Sequence, residues 1–235
     1  MGRFGKTPKT MITLLLIAEL FVLFFLSKRL IQHLYTLLFL VSHSRSFTVS
    51  IITLLLFPGT VIHELSHLFT AEILGVRTGK LILAPEAIRG SEIQAGSVAI
   101  AKTGPFRRVV IGLAPLLVGL GVITALSYWL TFPNLSSYIL ILISYLLFAI
   151  SNSLFPSSLD MQGTPATIIT VLLLFAAAYT AGIRLSLSGQ SLQLVTTVLS
   201  SLVQSLGLVL AVNIGVLLIA QILLVLIGNI IKSKI

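Results

Sequence analysis

The sequence predicts an all-α polytopic membrane protein of about six transmembrane helices, with a small membrane-associated β-hairpin between the second and third. Hydrophobic residues make up 57% of the 235 residues and charged residues only 9%, which is far from the composition of a soluble domain. Uncharged apolar runs recur along the chain, each close to the ~20 residues that a spanning helix needs. These two observations predict one integral membrane domain over residues 1–235.

The apolar runs give the predicted spans in chain order. The first run follows Arg3, Lys6 and Lys9 and resembles a signal peptide. It lacks a convincing small-residue cleavage site, so it is predicted to be a retained span. The six spans are predicted at 11–27, 50–74, 107–130, 137–155, 165–183 and 206–230.

Two further apolar segments leave alternatives open. Leu30–Val41 is short, so it either lies at the membrane interface or extends the first helix. The stretch from Leu185 to Ile231 is uncharged and longer than one span requires. It holds either an interfacial helix followed by one span, or two spans. One span is preferred, because two would place the C-terminal Lys-Ser-Lys outside.

The distribution of charge predicts the orientation. With the N-terminus inside, eleven of the fifteen Lys and Arg residues fall in inner segments. This agrees with the excess of Lys and Arg in the cytoplasmic loops of membrane proteins. Both termini are therefore predicted in the cytoplasm, and a prokaryotic plasma membrane is the default for so compact a chain. No basic stripe alternates with aromatic residues, so the net charge of +9 does not indicate nucleic-acid binding.

The one long polar connection runs from Val76 to Phe106. Its β-prone runs, GKLILAPE and EIQAGSVAIA, are separated by Arg89-Gly90-Ser91, and Gly96 offers a bulge. This pattern predicts a small hairpin or sheet against the inner face of the membrane. An exposed strand edge there can accept an extended peptide by strand addition.

The segment TVIHELSHLF, from Thr60 to Phe69, carries three ionisable groups inside an apolar run. His63 and His67 are four residues apart, so on a helix their imidazoles can face one ion. Glu64 can then reach a water on that ion without being a ligand. The pattern predicts a zinc half-site with a general base. The alternative is a set of buried polar residues that bond neighbouring helices, but ionisable groups are costly in lipid and favour a site.

A catalytic zinc with an open position for water needs a third protein ligand. The chain has no cysteine, which excludes disulfides and thiolate ligands. Asp160 is the only aspartate and follows the fourth span in SNSLFPSSLDMQG. The inner ends of the second and fourth spans lie on the same side of the membrane, so Asp160 can meet the two histidines at similar depth. Its alternative role is an ordinary loop carboxylate or helix cap.

These residues resemble the site-2 protease family of intramembrane zinc metalloproteases, in its compact form without a PDZ domain. In that family one span carries H-E-x-x-H, and a later span carries an aspartate in an N-x-x-P…L-D-G type stretch. Here Asn152, Pro156 and Leu159-Asp160 stand in that order, and APLLVG at 114–119 resembles the intervening span. The resemblance covers roughly residues 57–163.

Two positions depart from the family pattern. Met161 replaces the glycine after the aspartate, and Ser66 stands at the fourth motif position, where glycine is common. Neither change removes a ligand or the base. The catalytic core is expected at about 50–163, with the spans at 11–27, 165–183 and 206–230 as peripheral helices.

The resemblance implies an intramembrane zinc endopeptidase that hydrolyses peptide bonds of transmembrane protein substrates. One zinc ion per chain would be held by His63, His67 and Asp160 and would activate water, with Glu64 as the general base. Asn152 is a candidate for binding the substrate backbone or the oxyanion. It is equally suited to a helix-end cap or an interhelical bond.

Two functions of other classes compete with this interpretation. One is a catalytically silent member that binds metal or membrane proteins, although such a relative usually loses one of the four site residues. The other is an ion or metal transporter. A transporter would spread its carboxylates and histidines over several spans, often with repeats, whereas here they concentrate at one depth.

Overall fold

The fold is seen in a computed structural model that describes residues 9–83, 87–89, 92–94, 97–157, 160, 169, 180 and 189–232. Over these residues the chain is mostly helical. The helices and strands are α1 (Lys9–Ser42), α2 (Arg45–Ile73), β1 (Thr78–Ile82), β2 (Ala87–Arg89), β3 (Glu92–Gln94), β4 (Ser97–Ile100), α3 (Pro105–Trp129), α4 (Ser137–Asn152) and α5 (Gly189–Lys232).

Four of the described helices, α1, α2, α3 and α5, are long and apolar enough to cross a membrane. Helix α4 is apolar but has only 16 residues. The predicted helical class is therefore confirmed, and the length and composition of these four helices are consistent with a membrane protein, but the count of six spans is not confirmed. The predicted span at 165–183 lies outside the described residues, apart from positions 169 and 180.

Helices α1 and α5 are longer than the spans predicted within them. Helix α1 runs 34 residues without a break, so Leu30–Val41 extends the first helix. Helix α5 has 44 residues and is about 66 Å long at 1.5 Å per residue. The Ser/Thr/Gln-rich stretch before the span at 206–230 is thus part of one helix. The hydroxyls of this stretch can bond carbonyls of the preceding helical turn, as Thr196 does with the Leu192 carbonyl. A polar stretch can therefore stay helical.

The connection between α2 and α3 forms the predicted hairpin. Strand β1 pairs antiparallel with β4, and β2 pairs antiparallel with β3. The register of the first pair shifts between Thr78 and Leu81, whereas the predicted bulge at Gly96 and the turn at 90–91 lie outside the described residues. A small apolar cluster of Ala71, Val76 and Ile111, with Ile100 packed against it, fixes the sheet to α2 and α3.

The position of α2 against α4 depends on Gly59. A Cβ atom at this residue would overlap the carbonyl of Ala149 and the Oγ of Ser153. The two helices therefore approach more closely than any side chain at position 59 allows. One helical turn further along α2 is His63, which this approach brings against the end of α4.

Candidate metal centre

His63, His67 and Asp160 converge on one point, as the sequence predicts. Their ligand atoms all lie within 4.8 Å of one another, and this is the one such group of three among the described residues. His67 Nε2 lies 3.2 Å from Asp160 Oδ1, and His63 Nε2 lies 3.7 Å from Asp160 Oδ2. One face of α2 and the segment after α4 thus offer two imidazole nitrogens and a carboxylate to a single ion.

Both imidazoles are oriented through Nδ1. His63 Nδ1 donates to the Ser153 carbonyl at 2.7 Å, and His67 Nδ1 donates to the Ile111 carbonyl at 2.9 Å. A carbonyl oxygen can only accept, so each imidazole has a hydrogen on Nδ1, and in the neutral ring the lone pair is then on Nε2. Histidines that bind metals are commonly fixed in this way. Ser153 is the C-cap of α4, where helix carbonyls lack a helical donor.

The Nε2 atom of His67 shows that the three residues fit a metal ion. This atom is buried and has no hydrogen-bond partner, although Asp160 Oδ1 is 3.2 Å away. With the hydrogen on Nδ1, the two facing atoms are both acceptors, and their approach is repulsive unless a cation lies between them. Imidazole nitrogen and carboxylate oxygen are ordinary ligands of divalent metals, so a metal ion would remove this conflict.

Asp160 is held in place by Ser157. The backbone N–H and the hydroxyl of Ser157 both donate to Asp160 Oδ2 at 2.7 Å. Burial disfavours the charged carboxylate, but the two hydrogen bonds from Ser157 stabilise it. The ionised form is the one that binds a metal cation.

Glu64 lies at the same site without belonging to the ligand group. It is on α2 and only 8% exposed, and it is near enough to His63, His67 and Asp160 to interact electrostatically with each. A buried carboxylate beside the ligands but outside the ligand set is the arrangement that a general base for a metal-associated water requires.

Asn152 has hydrogen bonds that tie α4 to α5. Its Nδ2 donates to the Phe148 carbonyl at 2.8 Å and to Asn213 Oδ1 at 2.6 Å. Asn213 in turn donates to Ser151 Oγ at 3.0 Å, and Ser27 of α1 donates to the Asn152 carbonyl at 3.4 Å. These contacts match the interhelical alternative for Asn152, whose Oδ1 is buried without a partner. Its role in substrate binding stays a prediction.

Sequence reasoning missed the residues that orient the ligands. Ser153 and Ile111 act through backbone carbonyls, which leave no signature in residue type. Ser157 does leave a signal, because a serine three residues before an aspartate can bond its carboxylate locally. Comparison of the chain with protein-family models, with curated proteins and with solved structures gives no match.

Proposed function

We propose that the protein is an intramembrane zinc endopeptidase of the site-2 protease type. The observation that carries the proposal is the convergence of His63, His67 and Asp160, with Glu64 beside them. The two histidines and Glu64 lie on α2, a helix long and apolar enough to cross a membrane. Two histidines and one carboxylate form a ligand set typical of catalytic zinc, which keeps a fourth position open. One zinc ion per chain is expected.

The chain's own residues supply the remaining chemistry. Zinc, when bound, provides the positive charge that lowers the pKa of a water molecule and polarises a peptide carbonyl. Glu64 takes a proton from the attacking water as the new C–O bond forms. It then gives this proton to the amine nitrogen as the C–N bond breaks. Ser153, Ile111 and Ser157 hold the ligands in position throughout, so little reorganisation is needed during the reaction.

The proposed substrates are transmembrane segments of other proteins in the same bilayer. A peptide carbonyl engaged in a helix is poorly placed for attack, so the substrate must be extended near the site. Strand β1 is paired with β4 along one edge, and its other edge has no strand partner among the described residues. That edge can accept an extended segment. Charged or proline substitutions along Leu81–Leu83 are expected to lower kcat/KM while zinc binding is kept, and unchanged cleavage would contradict strand addition.

The proposed location is the plasma membrane of a prokaryote, with both termini and the site toward the cytoplasm. The four apolar helices support an integral membrane protein, and the Lys and Arg bias supports this orientation. A silent metal-binding protein would use the same three ligands. The burial of Glu64 at the site favours an enzyme, because an ionisable group that has no task there only adds a cost in lipid.

The test measures zinc content and cleavage in the same detergent-purified preparations. The wild type is expected to hold about one zinc per chain, and His67→Ala and Asp160→Ala to lose it. Glu64→Gln is expected to keep zinc and lose cleavage of a membrane-spanning model substrate. Glu72→Gln is the matched control, because Glu72 is an exposed carboxylate on the same helix that accepts a hydrogen bond from Thr78. Full zinc binding in Asp160→Ala, or cleavage by Glu64→Gln at the wild-type rate, would refute the proposal.

A further inference from the structure

Helix α3 contains a buried proline, Pro115, four residues after Ile111. In an α-helix the carbonyl of residue 111 would accept the N–H of residue 115. Proline has no N–H, and its ring also crowds the carbonyl four residues earlier. The Ile111 carbonyl is therefore left without its helical donor in the interior of α3. This is the carbonyl to which His67 Nδ1 donates at 2.9 Å.

We propose that Pro115 is a positioning residue for the metal centre. By removing the helical donor, it leaves the Ile111 carbonyl free to hold the hydrogen of His67 Nδ1 and so keeps the lone pair on Nε2. The inference rests on the proposed metal site, but it concerns a residue outside the candidate ligand group.

Pro115 determines which tautomer of His67 is favoured. A neutral imidazole carries its hydrogen on one nitrogen, and both nitrogens of His67 have an acceptor nearby. With the hydrogen on Nε2, His67 would donate to Asp160 Oδ1, 3.2 Å away, and could not bind a metal. With the hydrogen on Nδ1, it donates to Ile111 and is ready to bind. A free Ile111 carbonyl favours the second state.

Burial strengthens the preference of His67 for one tautomer. Both His67 and Ile111 are 3% exposed, and Pro115 is below 2%, so bulk water does not replace a missing partner. In a variant with an N–H at position 115, the helix holds that N–H in line with the Ile111 carbonyl. The His67 imidazole, which can rotate, must then compete with it for the same oxygen. His63 meets the same requirement differently, because its acceptor is free where α4 ends.

The test replaces Pro115 with alanine and measures three quantities. The thermal unfolding midpoint of the metal-free protein is expected to stay the same or rise, because alanine is a far better helix former than proline. Zinc affinity, measured by competition with a chromophoric chelator, is expected to fall about tenfold, as when the partner of a ligating histidine is lost. The ¹⁵N NMR shifts of His67 in the metal-free protein are expected to move toward the Nε2–H tautomer.

Pro58→Ala is the matched control. It makes the same replacement in the interior of α2, where the carbonyl left free is that of Leu54, which is not an acceptor for either zinc histidine. Its zinc affinity and its His67 tautomer are expected to match the wild type. Should Pro115→Ala fail to fold because the ring leaves a cavity, Pro115→Val restores the N–H and keeps the volume, with the same expectations.

The outcomes separate this inference from the proposed function. Unchanged zinc affinity together with an unchanged Nδ1–H tautomer in Pro115→Ala would overturn the role of Pro115 and leave the protease proposal intact. A wild type that binds no zinc would overturn the protease proposal. The tautomer comparison, made without metal, would then still decide whether Pro115 orients His67.

Discussion

Replacement of Gly59 by alanine is expected to weaken zinc binding through a displacement of one helix. The added Cβ would lie 2.6 Å from the Ala149 carbonyl carbon and 2.7 Å from Ser153 Oγ. Because unstrained carbon atoms lie about 3.5 Å apart or more, α2 and α4 must separate locally by about 1 Å. The obstacle is backbone, so rotation of a side chain cannot relieve it.

The separation acts on the hydrogen bond that orients His63. The His63 Nδ1 to Ser153 carbonyl distance of 2.7 Å would lengthen to about 3.7 Å, which is too long for a hydrogen bond. Loss of such a partner typically weakens metal binding by about 10–100-fold. Overpacking adds a cost in stability of about 1–3 kcal/mol. Zinc affinity is measured by chelator competition, and unfolding is followed by thermal melting in the same detergent.

Two glycines of α3 serve as controls for Gly59→Ala. A Cβ at Gly121 would meet no atom within 4 Å, so Gly121→Ala is expected to leave zinc affinity unchanged. At Gly119 the Cβ would meet the end of the Leu154 side chain, which can move, so a smaller loss is expected. Wild-type zinc affinity in Gly59→Ala, or an equal loss in Gly121→Ala, would refute the argument that this close approach sets the His63 geometry.

Three further changes, one of them with a control variant, test other parts of the structure. Ser157→Ala removes one of the bonds to Asp160 Oδ2, which raises the pKa of Asp160. Zinc titrations across pH should show up to about tenfold weaker binding. As the pH is lowered, the variant should lose zinc at a higher pH than the wild type. Asn213→Leu removes one buried hydrogen bond from Asn152 and one from Ser151, at about 0.5–1.5 kcal/mol each, so its melting point should fall clearly. Ser205→Ala, which breaks only a bond within α5, should change it little. Ser44→Ala removes the N-cap bond of α2 to the Phe47 N–H and should cost about 1 kcal/mol with zinc affinity unchanged.

The candidate metal ligands were predictable because their chemistry is visible in residue type. The spacing of His63 and His67 places both on one helix face, and Asp160 is the only aspartate available. The structure brings the three together. Their orientation was not predictable, because it depends on which backbone carbonyls are free, and that follows from where α4 ends and where α3 contains a proline.

The helix lengths were less predictable than their existence. Apolarity located every span now seen as a described helix, yet α1 continues beyond residue 27 and α5 begins before residue 206. The predicted first span ends at residue 27, just before Lys28 and Arg29, because charged residues end an apolar run. Helical hydrogen bonding does not require apolar side chains, so the helix continues through them.

The hydrogen bonds of Asn213 and Ser27 bear on how the protein can be dissected. The sequence divides the chain into a core at about 50–163 and peripheral spans, but α5 and α1 each supply a bonding partner to the last turn of α4. In a fragment limited to that core, the Ser151 hydroxyl and the Asn152 amide would lose these partners and the helices that cover them. The smallest unit that can be excised with its metal centre intact therefore includes the first and last helices, and a shortened expression fragment should contain both.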